Sequence, residues 1–293
     1  MWIKQRGSDI GYKLIVGMYR LLGYKATKIV VWIVSFVYAC ITTQEREAMK
    51  DYYAKLGISY TFFLYVSHIY QFSLSIFDRF VTRIDPDIFS IERVNVNTFL
   101  QKDKNCILAL SHIGNWANTF VAFKYEDRTI HVTADDQLKT SIVEYEASLS
   151  EKNSSSIHMI NLKDGIKASI EIAKALQNGD DLAIMVDRLV EPNRFIEVDF
   201  LNVKTKFNKN PFEIAYNRNV DMVGVTVVRT GDMQYKVVFS DVIHVDKSRK
   251  KEEAMGIMAQ QYAVYLESIV RQYPMQWFNF YKFWRVNENS SNR

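Results

Sequence analysis

Cys106-Ile107-Leu108-Ala109-Leu110-Ser111-His112-Ile113-Gly114-Asn115-Trp116 is the stretch that decides the fold. Five apolar residues in an unbroken run have the length and composition of a strand buried on both faces. The run stops at Ser111-His112, and Gly114-Asn115 supplies turn chemistry that presents the imidazole. A helical stretch follows to about Tyr125. In open α/β sheets, ligands bind outside the carboxyl ends of strands. Histidine there is the side chain best matched to take a proton near neutral pH.

Working outward, Thr129–Thr133 and Ile157–Ile160 read as further short strands. Asp164–Asn178 reads as an amphipathic helix, with Ile166, Ile170, Ala173 and Leu176 on its buried face, Asp164 as N-cap and Gly179 just past its end. Leu182–Val186 is another buried strand, ending at Asp187-Arg188. A basic loop leads to a helix over Pro211–Arg218. Strands over Val220–Val228 and Gln234–Val245 flank a turn at Thr230-Gly231-Asp232, and Lys250–Gln272 is the last long helix. Strand–helix alternation from 104 to 230 predicts an α/β fold with a mostly parallel central sheet flanked by helices.

Upstream, residues 45–80 read as two helices. The second is crowded with Tyr60, Phe62, Phe63, Tyr65, Tyr70, Phe72, Phe77 and Phe80, an aromatic stripe of the kind that fills a core. His68 within it reads as a structural histidine. Residues 1–28 hold six Lys and Arg against Asp9 alone, while the whole 293-residue chain has a net charge of +4. Ile29–Ile41 is apolar except for Ser35, but a spanning helix needs about 20 such residues. The reading is an interfacial or half-buried helix first and a span second, its basic arm suited to an anionic membrane surface. Thr42–Glu47 offers no small-residue cleavage site, so the segment is expected to stay in the mature protein. Deletion of residues 1–41 is expected to release the protein from membranes.

Composition narrows the chemistry. A hydrophobic fraction of 48% and only 4 Pro and 11 Gly exclude a disordered or linker-rich chain. Two cysteines exclude a disulfide scaffold and a thiolate zinc site. The sequence has no Gly-rich phosphate loop, no G-x-S-x-G elbow and no His/Cys cluster at metal spacing. Basic residues gather at the N-terminal arm rather than along a domain face, which argues against nucleic-acid binding.

His112-Ile113-Gly114-Asn115-Trp116 resembles the core of the His-x4-Asp/Glu motif of lysophospholipid acyltransferase-like proteins, and in particular of the bacterial lipid A biosynthesis acyltransferases. Ile184–Arg188 is similar to that branch's strand ending in an Asp-Gln or Asp-Arg pair. Val198–Lys204 through Pro211–Ala215 resembles its aromatic-rich block, and Tyr273–Tyr281 its Pro-x-Gln-Trp signature. The matches run in order from about residue 104 to 284.

The resemblance implies a glycerol-phosphate acyltransferase-like fold. It divides the chain into basic and apolar membrane-associated helices over 1–45, an acyltransferase-like domain over 46–286 and a polar tail over 287–293. It implies fatty acyl transfer from acyl carrier protein or acyl-CoA, as co-substrate, to a lipid or glycolipid at the cytoplasmic face of a bacterial inner membrane. His112 would be the general base. No metal and no redox cofactor would be needed. Backbone N–H groups near Gly114 or the following helix would stabilise the oxyanion. Asn115, Arg188, Arg194, Lys204 and Lys206, with Lys209, would contact the acceptor's phosphates or the donor's phosphopantetheine.

One departure stands out: the motif's acidic position is Ala117. Either another carboxylate orients His112 or the chain is a catalytically silent relative that binds lipid or a partner enzyme. Asp135, Asp136 and Asp187 all follow strands whose ends share a rim with His112, and geometry favours Asp187. Ala117→Asp is expected to raise acyl transfer if no substitute acid exists. It leaves the rate level or lower if one does, because a second negative charge then crowds the first. Thioester-dependent acylation of a lipid extract measures the difference.

Overall fold

The computed structural model describes residues 9–100, 104–116, 128–134 and 157–284. The expected helix after Trp116, Ala117 itself, and Asp135 and Asp136 lie outside them. Three helices come first: α1 (Asp9–Ile41), α2 (Gln44–Lys55) and α3 (Phe62–Ile84). Then follow β1 (Ser90–Val94), α4 (Val96–Leu100), β2 (Ile107–Leu110), β3 (Ile130–Ala134), β4 (Ile157–Asn161), α5 (Ile166–Gln177) and β5 (Asp181–Met185). The chain continues through β6 (Phe195–Phe200), β7 (Val203–Asn208), α6 (Asn210–Arg218), β8 (Met222–Gly231), β9 (Gln234–Ile243) and α7 (Lys251–Gln272).

Seven strands form one sheet in the order β1-β9-β8-β2-β5-β3-β4. Every neighbouring pair is parallel except β8 with β9. The fold is thus the mostly parallel sheet with flanking helices that the alternation predicts. β2 lies at its centre, buried along its whole length. Ile107 and Ala109 face one core, shared with Ile172, Met258 and Tyr262, while Leu108 and Leu110 face the other, shared with Val225 and Phe239. Period-two alternation with both faces apolar makes the continuous run legible as a central strand.

Three local expectations need correcting. The basic stretch before Pro211 is not a loop but an antiparallel hairpin, β6 with β7, turned by Leu201 and Asn202 at positive φ. It packs on α7, whose Gln260 and Glu267 side chains accept from the backbone N–H groups of Asp199 and Leu201. In α5, Ile166 and Ile170 face outward and the buried stripe is Ala168, Ile172, Ala175 and Leu176. Asp164 belongs to a preceding 3-10 turn, and Gly165 leads into the helix. Asn178 and Gly179, the latter at φ +88°, close it as expected.

α1 runs antiparallel along α3. Tyr24 meets Phe77 and Asp78 near one end, the Ser35 hydroxyl donates to Ser73 at 2.9 Å midway, and Thr42 meets Tyr65 at 2.7 Å near the other. Gly23, at φ +73°, breaks the helical geometry and kinks it. By length and composition Lys13–Ile41 suffices to cross a membrane. Its inner face is nevertheless committed to the protein: Val16, Tyr24, Thr27, Val31, Ser35 and Ala39 are buried. Its outer face exposes Leu21, Ile29, Ile33, Val37 and Ile41, the last four at a four-residue spacing that marks one side of a helix. Deleting residues 1–41 therefore strips part of the core as well as any anchor.

The seam between α1, α3 and the β8–β9 hairpin is closed by a buried ionic cluster. Asp78 is fully buried and accepts from Tyr24 at 2.8 Å, from Arg229 at 2.7 Å and from the Tyr235 hydroxyl. Arg229 also donates to the Tyr24 oxygen at 2.9 Å. Removing one member of a buried pair leaves the other uncompensated. Arg229→Met is expected to cost about 3–5 kcal/mol of stability, and adding Asp78→Asn to recover much of that. Denaturant unfolding of the two variants beside the parent tests this.

Candidate active site

The chain leaves β2 through Ser111 and immediately turns back into the protein. Ile113 forms an antiparallel bridge with Trp277, and Gly114 a parallel one with Val227 of β8. Gly114 sits at φ +60°, and a Cβ there would lie 1.9 Å from the Val227 carbonyl oxygen. Only glycine permits this approach. With the loop pinned, His112 stands at the carboxyl rim of the sheet, its side chain 17% exposed.

β5, the next strand in the sheet, ends one residue before Val186 and delivers Asp187 to the same rim. His112 Nδ1 lies 2.8 Å from Asp187 Oδ1, and the His112 backbone N–H donates to Oδ2 at 3.1 Å. Oδ2 accepts two more bonds, from Trp277 Nε1 and Asn279 Nδ2, each at 3.1 Å. Asp187 is wholly buried. Burial alone would raise its pKa. The adjacent imidazole, its hydrogen bond, Arg188 and Asn279 outweigh that and hold the carboxyl at about 2. An ionised Asp187 takes the Nδ1–H of a neutral imidazole and leaves Nε2 as the basic nitrogen. Nε2 makes no hydrogen bond among the described residues.

Arg188 is anchored beside the dyad. Its Nε donates to Asn279 Oδ1 at 2.6 Å and one terminal nitrogen to the Phe278 carbonyl at 2.8 Å, with the guanidinium over the Tyr281 ring. The other terminal nitrogen has no partner among the described residues. Asn115 is 2% exposed and its side-chain oxygen has no hydrogen-bond partner among the described residues. Trp116 lies against the dyad, its ring 5.5 Å from that of His112.

The structure thus brings together three of the sequence-selected residues, His112, Asp187 and Arg188, while Asn115 is buried three residues on with its backbone N–H on Val227. Arg194 instead pairs with Asn210 and Glu213 on the surface. Lys204 pairs with Asp199 near the turn of the hairpin. It is roughly 13 Å along β7 from Asn208, whose N–H bonds Val186 beside the rim. Lys206 is buried with its amine over the Phe195 ring. Of the backbone donors expected for an oxyanion, the two at Gly114 and Asn115 are already used, and those of the following helix lie outside the described residues. Gly114 N–H bonds the Gln276 carbonyl and Asn115 N–H the Val227 carbonyl, both at 2.7 Å. Among the described residues no set of three or more His, Cys, Asp or Glu side chains converges as metal ligands.

Sequence reasoning treats Trp277 as plain core and does not single out Asn279. Both hold Asp187. The signal was present: a Gln276-Trp277-Phe278-Asn279 run with two amides and an indole, flanked by aromatics, supplies more donors than a core segment needs.

Strand order and the rim dyad define an α/β protein with a histidine held against a buried carboxylate at the carboxyl ends of the strands. The family model of the bacterial lipid A biosynthesis acyltransferases matches residues 27–286, and the chain belongs to that family. No curated protein sequence matches it. Among solved structures, the 1-acyl-sn-glycerophosphate acyltransferase from Thermotoga maritima is similar at 12% identity and a TM-score of 0.42, covering 84% of this chain and 98% of its own.

Burial first and Arg188 second push the His112 pKa below its ordinary value, against the opposing pull of Asp187. The base is therefore neutral at pH 7. A reaction that uses it is expected to hold its rate down to below pH 6.5, then to lose about tenfold per pH unit as the imidazole protonates. Arg188→Gln removes a cation that opposes protonation, so the fall should begin at higher pH. A pH–rate profile of both forms checks the sign.

Proposed function

We propose that this protein transfers a fatty acyl group from an acyl carrier protein or CoA thioester to a hydroxyl or amine of a lipid or glycolipid. The observation that carries the reading is the 2.8 Å contact between His112 Nδ1 and a fully buried Asp187, with Nε2 unbonded among the described residues. Nε2 takes the acceptor's proton as its oxygen or nitrogen attacks the thioester carbonyl. The tetrahedral oxyanion collapses, the C–S bond breaks, and the thiolate recovers the proton from the imidazolium. Asp187 holds the tautomer and stabilises the imidazolium, the part an orienting carboxylate plays in a catalytic triad. The Arg188 terminal nitrogen that has no partner among the described residues is a donor available to the oxyanion or to an acceptor phosphate, and the Asn115 side-chain oxygen, likewise unpartnered among them, can accept from an acceptor hydroxyl or amine. Asp187 also answers the absence of an acid at 117, the one observation that favours a silent binding role. With Asp187 in place, Ala117→Asp should bring no gain.

The acceptor is a membrane lipid, and α1 fits a protein that works at a bilayer surface. Its inner face is sealed against α3, its outer face is apolar, and Arg20 and Lys25 are exposed beside it. We place the protein at the cytoplasmic face of a bacterial inner membrane, with α1 lying in the interface rather than crossing it.

Two measurements test these readings. His112→Ala and Asp187→Asn are each expected to lower acyl transfer by about 10²–10⁴ without unfolding the protein. Lipid mass spectrometry of a deletion strain carrying wild type or either variant would show the acyl mass restored by wild type alone. Full restoration by His112→Ala would overturn the mechanism. Replacing Ile33 and Val37 with Lys, which leaves the inner face of α1 untouched, should move the protein out of the membrane fraction.

A further inference from the structure

We infer that Tyr53 and His68, from α2 and α3, form a positioning pair that sets the indole of Trp277 on Asp187. The inference rests on the dyad reading above and extends it to two residues outside the rim.

His68 has no exposed surface. Its Nε2 lies 3.1 Å from the Trp277 carbonyl oxygen and its Nδ1 2.7 Å from the Tyr53 hydroxyl. A carbonyl only accepts, so Nε2 carries the proton. In a neutral ring Nδ1 then accepts from Tyr53. Burial, only partly offset by the Trp277 carbonyl, lowers the His68 pKa to about 3, so the ring keeps this tautomer at every working pH. The edges of the Phe278 and Phe280 rings close around it.

Trp277 is therefore held at two points. Its carbonyl is fixed by His68, and its indole N–H donates to Asp187 Oδ2. The next residue, Phe278, donates its backbone N–H to the His112 carbonyl at 2.8 Å. One imidazole on α3 thus holds, at Trp277 itself, the segment that touches both members of the dyad, alongside the bonds to Gln276 and Phe278 on either side. Displacement of the segment by about 1 Å would disturb the geometry on which proton transfer depends, an effect worth up to about 10²-fold in rate. Any buried imidazole must satisfy both ring nitrogens, and what distinguishes His68 is that its acceptor is the carbonyl of the residue whose indole holds Asp187.

The test uses the full-length protein in detergent micelles, with lauroyl-CoA and lauroyl-acyl carrier protein as donors and a deletion strain's lipid extract as acceptor. The Trp277 indole N–H resonance is assigned by its loss in Trp277→Phe. His68→Leu is expected to move or broaden that resonance and to lower kcat about 10- to 100-fold, with the KM for the thioester within about twofold. His68→Gln is expected to restore most of both, because its amide N–H can take the place of Nε2–H. A folded His68→Leu with either the resonance or kcat unchanged overturns the inference. So does a failure of His68→Gln to recover what a folded His68→Leu loses. If His68→Leu does not fold, Tyr53→Phe decides: a shifted resonance with reduced kcat supports the pair, and no change in either overturns it. If wild type transfers no acyl group, the proposed function fails, while the resonance comparison still decides whether His68 sets the indole.

Discussion

A carboxylate with no access to water must be solvated by the protein itself, and Asp187 imposes that demand on everything around it. Its Oδ2 alone takes three N–H donors, from the backbone of His112 and from the side chains of Trp277 and Asn279. Those donors come from two segments far apart in the chain, and neither can shift without leaving the charge underhydrated. The loop after β2, the end of β5 and the Pro274–Asn279 segment therefore meet on this one group, and backbone bonds such as Phe278 N–H to the His112 carbonyl tie them further. The His112 imidazole inherits its orientation from that arrangement. Burial above all, with the Arg188 cation second, keeps the imidazole neutral beside the carboxylate.

The parts of the fold legible in the sequence are those where one periodicity dominates. Cys106–Leu110 and Leu182–Val186 are apolar on both faces, and a short uninterrupted run has few meanings other than a central strand. The two residues that follow these strands, His112 and Asp187, could be paired in advance because parallel strands bring their carboxyl ends to one rim. The β6–β7 hairpin was not legible. Its turn is made by Leu201 and Asn202 at positive φ, without a glycine, and lysines interrupt the second strand. In α5 the choice between stripes went the wrong way because Ile166 and Ile170 are more apolar than Ala168 and Ala175. The alanines are what fit against the sheet.

The backbone donors near Gly114 show a different limit. A Gly-Asn turn beside a histidine looks like an anion site from local sequence alone. Its two N–H groups are satisfied by carbonyls of Gln276 and Val227, more than a hundred residues further along the chain. Local reading cannot see such partners. For the same reason the donor-rich Gln276–Asn279 run could not by itself show what Asn279 holds. Its side chain acquires meaning only once Asp187 and Arg188 stand on either side of it.

The ionic cluster at the α1–α3 seam has a temporal side. Tyr24 and its partner Arg229 are separated by 205 residues. At about 5–20 residues per second, a ribosome takes on the order of 10–40 s to make the intervening chain. For most of that interval, the 151 residues from Asp78 to Arg229, Asp78 waits without its counter-ion. A newborn α1 thus offers its apolar side to a bilayer well before its other side can be locked to the body. The order of synthesis favours a helix that first settles at a surface and then receives the rest of the protein.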